Sequence, residues 1–162
     1  MKKLFLVVFL LLFVAAVNCF AADAVITTSS ITTYTIPNYG GNNIIGKVVT
    51  FTWTDKSAAD GTAFTTSFDK KELYGWCIYS VETNPGTTAP TDNYDITMLS
   101  EGGIDVLGSQ TLNRDEANTE IANIGLQTNG YPVITGALTL TIANNSVNSA
   151  TGTIKVVFLL PN

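Results

Sequence analysis

Leu138-Thr139-Leu140-Thr141-Ile142-Ala143, followed after a polar Asn-Ser turn by Thr153-Ile154-Lys155-Val156-Val157-Phe158-Leu159-Leu160, decides the fold class. In the first run Leu138, Leu140 and Ile142 alternate with Thr139 and Thr141, the period of two that turns one face of a strand to a core and the other to water. The second run is apolar on both faces over its latter half, which predicts a strand in the middle of a sheet. Taken as strands over Val133–Ala143 and Thr153–Leu160, the two read as a β-hairpin.

The same period recurs toward the N-terminus. In Ile44–Thr54, residues Ile45, Val49, Phe51 and Trp53 fall on one face, and Thr50, Thr52 and Thr54 on the other. An earlier strand spans Val25–Ile36 and ends at the glycine- and asparagine-rich turn Pro37–Asn43. Lys56–Gly61 turns the chain again. Further strands are expected at Ala63–Phe68, Tyr74–Val81, Tyr94–Leu99 and Ile104–Leu107, the last two joined by Glu101-Gly102-Gly103 as a hairpin. Asn84–Asn93 reads as a loop because Pro85-Gly86 and Pro90 interrupt it. Asn113–Ile121 is the one helix candidate, capped by Asn113 or Asp115, although its apolar residues are too sparse to bury a stripe. Eight to nine short strands without intervening helices predict an all-β antiparallel sandwich or jelly roll.

Met1-Lys2-Lys3, the apolar run Leu4–Val17 and the small residues Ala21 and Ala22 have the three parts of a secretory signal peptide, with cleavage expected after Ala21. The apolar run is shorter than the roughly 20 residues a spanning helix needs, so no membrane span is expected once the leader is removed. Asn18 and Val17 stand before Cys19 where a lipidation signal wants a small residue. Residues 22–162 then form a single domain of a size that buries its own core. Lys2 and Lys3 depart with the leader, so 6 of the 8 basic residues remain against 13 acidic ones, a net charge of −7. Such a surface repels nucleic acid. Cys77 is left as the one thiol, flanked by Trp76, Ile78 and Tyr79 as a buried apolar residue would be. The expected location is secreted, cell-surface or periplasmic.

Catalytic patterns fail on context. Gly41–Val48 approaches a phosphate-binding loop but has Val48 where magnesium needs Ser or Thr, and a strand follows instead of a helix. Ser67-Phe68-Asp69-Lys70 has the spacing of an acyl-transfer serine and lysine, without the partner motifs or a helix to hold it. There is no histidine, hence neither the commonest general base nor the commonest metal ligand. Carboxylates remain, and two of them suffice for glycoside hydrolysis, but nothing in the pattern pairs them. No cofactor is expected, with one candidate metal exception: Asp92, Asn93 and Asp95, with Glu101 nearby, offer the hard oxygen ligands calcium takes. Among the aromatic residues, Trp53, Trp76, Tyr79 and Tyr94 are candidates for stacking on a polysaccharide. Against this, Trp53 and Trp76 stand at core phase in their strands.

The stretch Thr83–Thr97, with Gly103–Gly108, Asn113-Arg114-Asp115 and Gly136–Leu140, resembles small uncharacterised proteins encoded by tailed phages and in environmental sequence. The resemblance covers the C-terminal half and implies a virion-associated β-sandwich with a decoration or fibre-like role. The leader departs from this, since virion proteins assemble in the cytoplasm, and points to an exported relative. Three functional classes follow in order: a self-assembling structural protein that pairs through its sheet edges, a carbohydrate-binding module, and a small carboxylate-dependent glycoside hydrolase.

Overall fold

The computed structural model describes residues 24–36, 44–55, 61–126 and 130–161. The leader, the Pro37–Asn43 turn and most of the Lys56–Gly61 turn lie outside the described residues. Among the described residues there are eight strands: β1 Val25–Ile36, β2 Ile44–Thr54, β3 Phe64–Phe68, β4 Cys77–Pro85, β5 Asp95–Ser100, β6 Glu120–Asn123, β7 Leu138–Ala143 and β8 Thr151–Leu159. They form a five-stranded sheet in the order β1-β2-β8-β4-β6 and a three-stranded sheet in the order β3-β7-β5, with every pairing antiparallel.

The pairings are nested. β2 pairs with β8, β3 with β7 and β4 with β6, so early strands meet late ones around an innermost turn at residues 101–103. β5 meets the segment that follows that turn, through bridges Leu99–Asp105 and Tyr94–Arg114 and through the Val106 N–H to Met98 carbonyl bond of 2.8 Å. The chain is thus one long ribbon folded at its middle and rolled up, with β4–β8 and β5–β7 as the seams. That is the jelly roll.

Alternation along each strand fills the space between the layers. Val49, Phe51 and Trp53 from β2, Ile154, Val156 and Phe158 from β8, and Leu138, Leu140 and Ile142 from β7 are all buried. Each such side chain contributes about 1.5–3 kcal/mol on leaving water. Ile45, assigned to the inner face with Val49, is instead 41% exposed, because β2 runs past the end of the core there. At the other end Trp53 sits opposite Gly152, and a Cβ at Gly152 would stand 2.7 Å from the indole Nε1.

Several expected elements are corrected by this topology. β7 and β8 do not form a hairpin: they lie in different sheets, and the turn between them crosses the layers. Ile104–Leu107 is no regular strand: left-handed residues at Gly103 and Gly108 bound it, and within it Asp105 alone bridges, to Leu99. The Asp105 carboxylate holds the segment instead, accepting the N–H groups of Met98, Leu107 and Ser109 at 3.2, 3.1 and 2.8 Å. The helix candidate at Asn113–Ile121 is a turn running into β6. Asp115 does cap it, taking the N–H groups of Ala117 and Asn118 at 2.7 and 2.8 Å, but the chain then extends.

The close approach of Gly152 to Trp53 yields a direct test. Gly152→Ala is expected to lower stability by about 2 kcal/mol through overpacking. Gly102→Ala, whose Cβ meets only the Ser100 hydroxyl at 3.8 Å, is expected to change it by less than about 0.5 kcal/mol. Urea midpoints of the two variants check both values.

Candidate functional site

Three of the four rings singled out for sugar stacking belong to the core. Trp53 and Tyr94 are each 1% exposed and Trp76 is also buried. Trp53 packs between Phe64 and Tyr94, with ring centroids 5.9 and 5.8 Å apart, and Lys47 Nζ stands 4.6 Å above the Trp76 ring. Tyr79 alone of the four is open to solvent.

The proposed calcium ligands separate along β5. Asp92 and Asp95 stand at its start and Glu101 just past its end, so the whole six-residue strand, at about 3.3 Å per residue, sets them apart. Each carboxylate already has partners. Asp92 accepts from Asn93, Asp95 from the Asn113 backbone and the Asn144 side chain, and Glu101 from the Ala137 N–H at 3.1 Å. Among the described residues no three acidic or cysteine side chains gather as a metal would require.

Glu101 lines a hollow of about 230 Å³ with Ser100, Val106, Ile134 and Leu138. It is the one carboxylate on that wall, whereas glycoside hydrolysis needs two, roughly 5 to 9.5 Å apart. Elsewhere Asp105 and Asp115 are tied to backbone N–H groups as described, Glu82 pairs with Lys155 at 2.7 Å, and the buried Asp55 accepts from Asn145 at 2.6 Å. These carboxylates act as turn staples and local partners. Burial pushes the Cys77 thiol up, away from the thiolate a nucleophile needs.

Two surface features remain on the five-stranded sheet. The first is its β1 edge. β1 is 12 residues long, and among the described residues its only strand partner is β2. Val25–Ile36 contains no charged residue and no proline, the features that usually blunt an edge; its one interruption is a register shift between Thr28 and Ser30.

The second is a cleft of about 200 Å³ on the outer face, walled by Tyr79 and Tyr131 over Ile44, Cys77, Leu159 and Leu160. Tyr79 is the extra residue of a bulge: Ile78 faces Phe158 and Ser80 faces Val157, so Tyr79 has no partner and is re-aimed outward. Its ring lies 5.4 Å from that of Tyr131, and both residues are 39% exposed. Tyr131 rests on Gly125, where a Cβ would overlap its ring, and Tyr34 rests in the same way on Gly46, the residue opposite Leu159. Burial, and then the Tyr79 phenol, push the Tyr34 phenol up. Tyr34 and Tyr131 count among the aromatic residues of the sequence but are not singled out by it, because the signals that expose and seat these rings are a bulge and two glycines.

No family model matches the chain, and no curated protein matches it. Among solved structures, a chain of the cyanophage Pam1 capsid asymmetric unit is similar over 89% of this chain and 89% of that one, at 14% identity and a TM-score of 0.39. At that distance the nested strand pairing of this chain itself defines the fold. Among the described residues no helix is long and apolar enough to cross a membrane.

The buried Tyr94 gives the molecule an alkaline limit. Burial pushes its phenol up to about 12 from an ordinary value of 10.0, against the pull of Thr83 and Arg114. Below pH 10 the phenol is neutral in folded and unfolded chains alike, and the preference for the fold is fully present. Between pH 10 and about 12 the unfolded chain releases its proton first, so stability falls, by about 3 kcal/mol in all. Chemical denaturation across this window is expected to show a shallower fall in Tyr94→Phe.

Proposed function

We propose that this protein is an exported structural subunit that associates with copies of itself through the β1 edge and does no catalysis. The observation that carries the reading is the 12-residue, charge-free and proline-free edge strand. The other sheet edges are poorer templates: β6 has 4 residues and β3 has 5, while the outer side of β5 is covered by the segment around Asp105. The partner that best matches β1 is therefore a second β1, running antiparallel across a twofold axis and joining two five-stranded sheets into one of ten.

Magnitudes indicate what such pairing achieves. A ladder of this length offers on the order of one backbone hydrogen bond per residue, each worth about 1 kcal/mol net. Association costs about 4–15 kcal/mol, so gain and cost are of the same size and the dimer forms with concentration. Export is supported by the tripartite N-terminus, and the non-catalytic reading by carboxylates committed to turns and by the absence of histidine.

Thr27 and Thr32 are exposed on β1, and lysine there supplies the missing edge charge. Thr27→Lys/Thr32→Lys is expected to remain monomeric at concentrations where the wild type sediments as a dimer, with its melting temperature within a few degrees of the wild-type monomer's. A wild type that stays monomeric at millimolar concentration, or a lysine variant that dimerises equally well, contradicts the reading.

A further inference from the structure

We infer that residues 103–114 form a strap that keeps the edge of β5 from pairing with a second copy of the protein, and that Asp105 is the latch that holds it there. The strap answers the outward-facing backbone groups of β5 one after another. The Ser100 N–H donates to the Ile104 carbonyl at 2.9 Å and the Met98 carbonyl accepts the Val106 N–H at 2.8 Å. Further along, the Ile96 N–H donates to the Thr111 carbonyl at 3.0 Å and the Tyr94 carbonyl accepts the Arg114 N–H at 2.8 Å. Two groups are met by side chains instead. The Ile96 carbonyl accepts the Thr111 hydroxyl at 2.6 Å, and the Met98 N–H donates to the Asp105 carboxylate at 3.2 Å. A regular strand completes such a ladder with backbone alone, so the side chains stand in where the strap departs from one.

Asp105 has a double part in this. Its carboxylate also takes the N–H groups of Leu107 and Ser109 from the strap itself, so one side chain both shapes the strap and ties it to β5. Ser109 and Asn113 stand at φ of 62° and 54°, a left-handed conformation that such residues keep only where surrounding bonds impose it. Apolar anchorage is limited, for Leu107 is buried whereas Ile104 is 70% exposed. A segment held largely by polar contacts opens at lower cost than a strand of the sheet.

The edge beneath the strap is suited to pairing. Ile96-Thr97-Met98-Leu99-Ser100 carries no charge and no proline, and Ile96 and Met98 are fixed in the core. β5 lies at the end of its sheet away from β3, the strand that meets β1, so β1 and β5 edge opposite flanks of the sandwich. One open edge that pairs with its own copy closes a dimer, whereas two on opposite flanks run on as a chain. With the strap latched, association through β1 stops at two copies; that limit rests on the reading of β1 given above, and the shielding of β5 does not.

The test is Asp105→Ala, made in the wild type and in the Thr27→Lys/Thr32→Lys background, followed by amide exchange and sedimentation. At monomeric concentration the amides of Ile96, Met98 and Ser100, which face the strap, are expected to exchange at least about tenfold faster in Asp105→Ala. Those of Thr97 and Leu99, on the β7 side, are expected to keep their protection. In the lysine background Asp105→Ala is expected to dimerise through β5, and in the wild-type background to form species larger than a dimer. Asp105→Asn, which keeps one of the two oxygens, is expected to fall between. The inference is overturned if the Ile96, Met98 and Ser100 amides stay protected in Asp105→Ala, or if Thr97 and Leu99 lose protection with them, which makes the strap part of the sheet's own support. It is equally overturned if the edge opens and the lysine-background variant stays monomeric up to about 1 mM. A wild type that never dimerises, with Asp105→Ala dimerising in both backgrounds, removes the β1 reading and upholds this one.

Discussion

β8 is the strand on which the rest of the molecule depends. It lies between β2 and β4, with Val156 facing Val49 on one side and Val81 on the other, so it joins the two arms of the folded ribbon within one sheet. Gly152, Ile154, Val156 and Phe158 point inward from it and are buried, while Lys155 and Leu159 help to shape the outer face. Because β2 and β8 are about a hundred positions apart in sequence, the pairing is made only after a large loop has been closed, and most of the fold rests on such non-local contacts. β1 stands outside this scheme. The nested pairs from β2 to β8 are complete without it, and among the described residues β2 is its only strand partner.

Much of this architecture is legible from alternation alone. The limits of β1 and β2 read directly from the sequence, because Thr and apolar residues alternate up to turn-forming clusters on either side, and the two-faced apolarity of β8 correctly places it at the centre of a sheet. Alternation reports which face is buried and is silent on which strand lies alongside. Hence β7 and β8, neighbours in sequence, read as a hairpin although each pairs with strands far away. β6 escaped notice because its four residues, Glu120–Asn123, include one apolar side chain pointing outward, Ile121, 62% exposed. The segment after Gly103 reads as a strand because Ile104, Val106 and Leu107 have strand character, while the Asp105 side chain and the left-handed residues that flank it act through geometry.

Legibility falls further at the surface sites. Aromatic residues in strands are ambiguous, since Trp53 and Tyr79 occupy equally strand-like stretches and only the bulge after Ile78 sends Tyr79 outward. The acidic residues were ambiguous in the same way. A carboxylate in a loop suits a metal, a reacting sugar or its own backbone, and Asp105 and Asp115 are each bound to N–H groups two to seven residues away. The long uncharged β1 is visible in the sequence as a run of residues. That it forms an edge follows only from sheet order.

The central claim is that a self-sufficient ribbon, closed by β8, carries β1 as an open-sided strand. Amide hydrogen exchange at a concentration where the protein is monomeric tests it most directly. The account predicts that amides of β8 such as Val156 exchange only through global unfolding, whereas about half of those in β1, the ones facing away from β2, exchange within the first time points. Uniform, global protection along β1 in the monomer, or early exchange throughout β8, would contradict it.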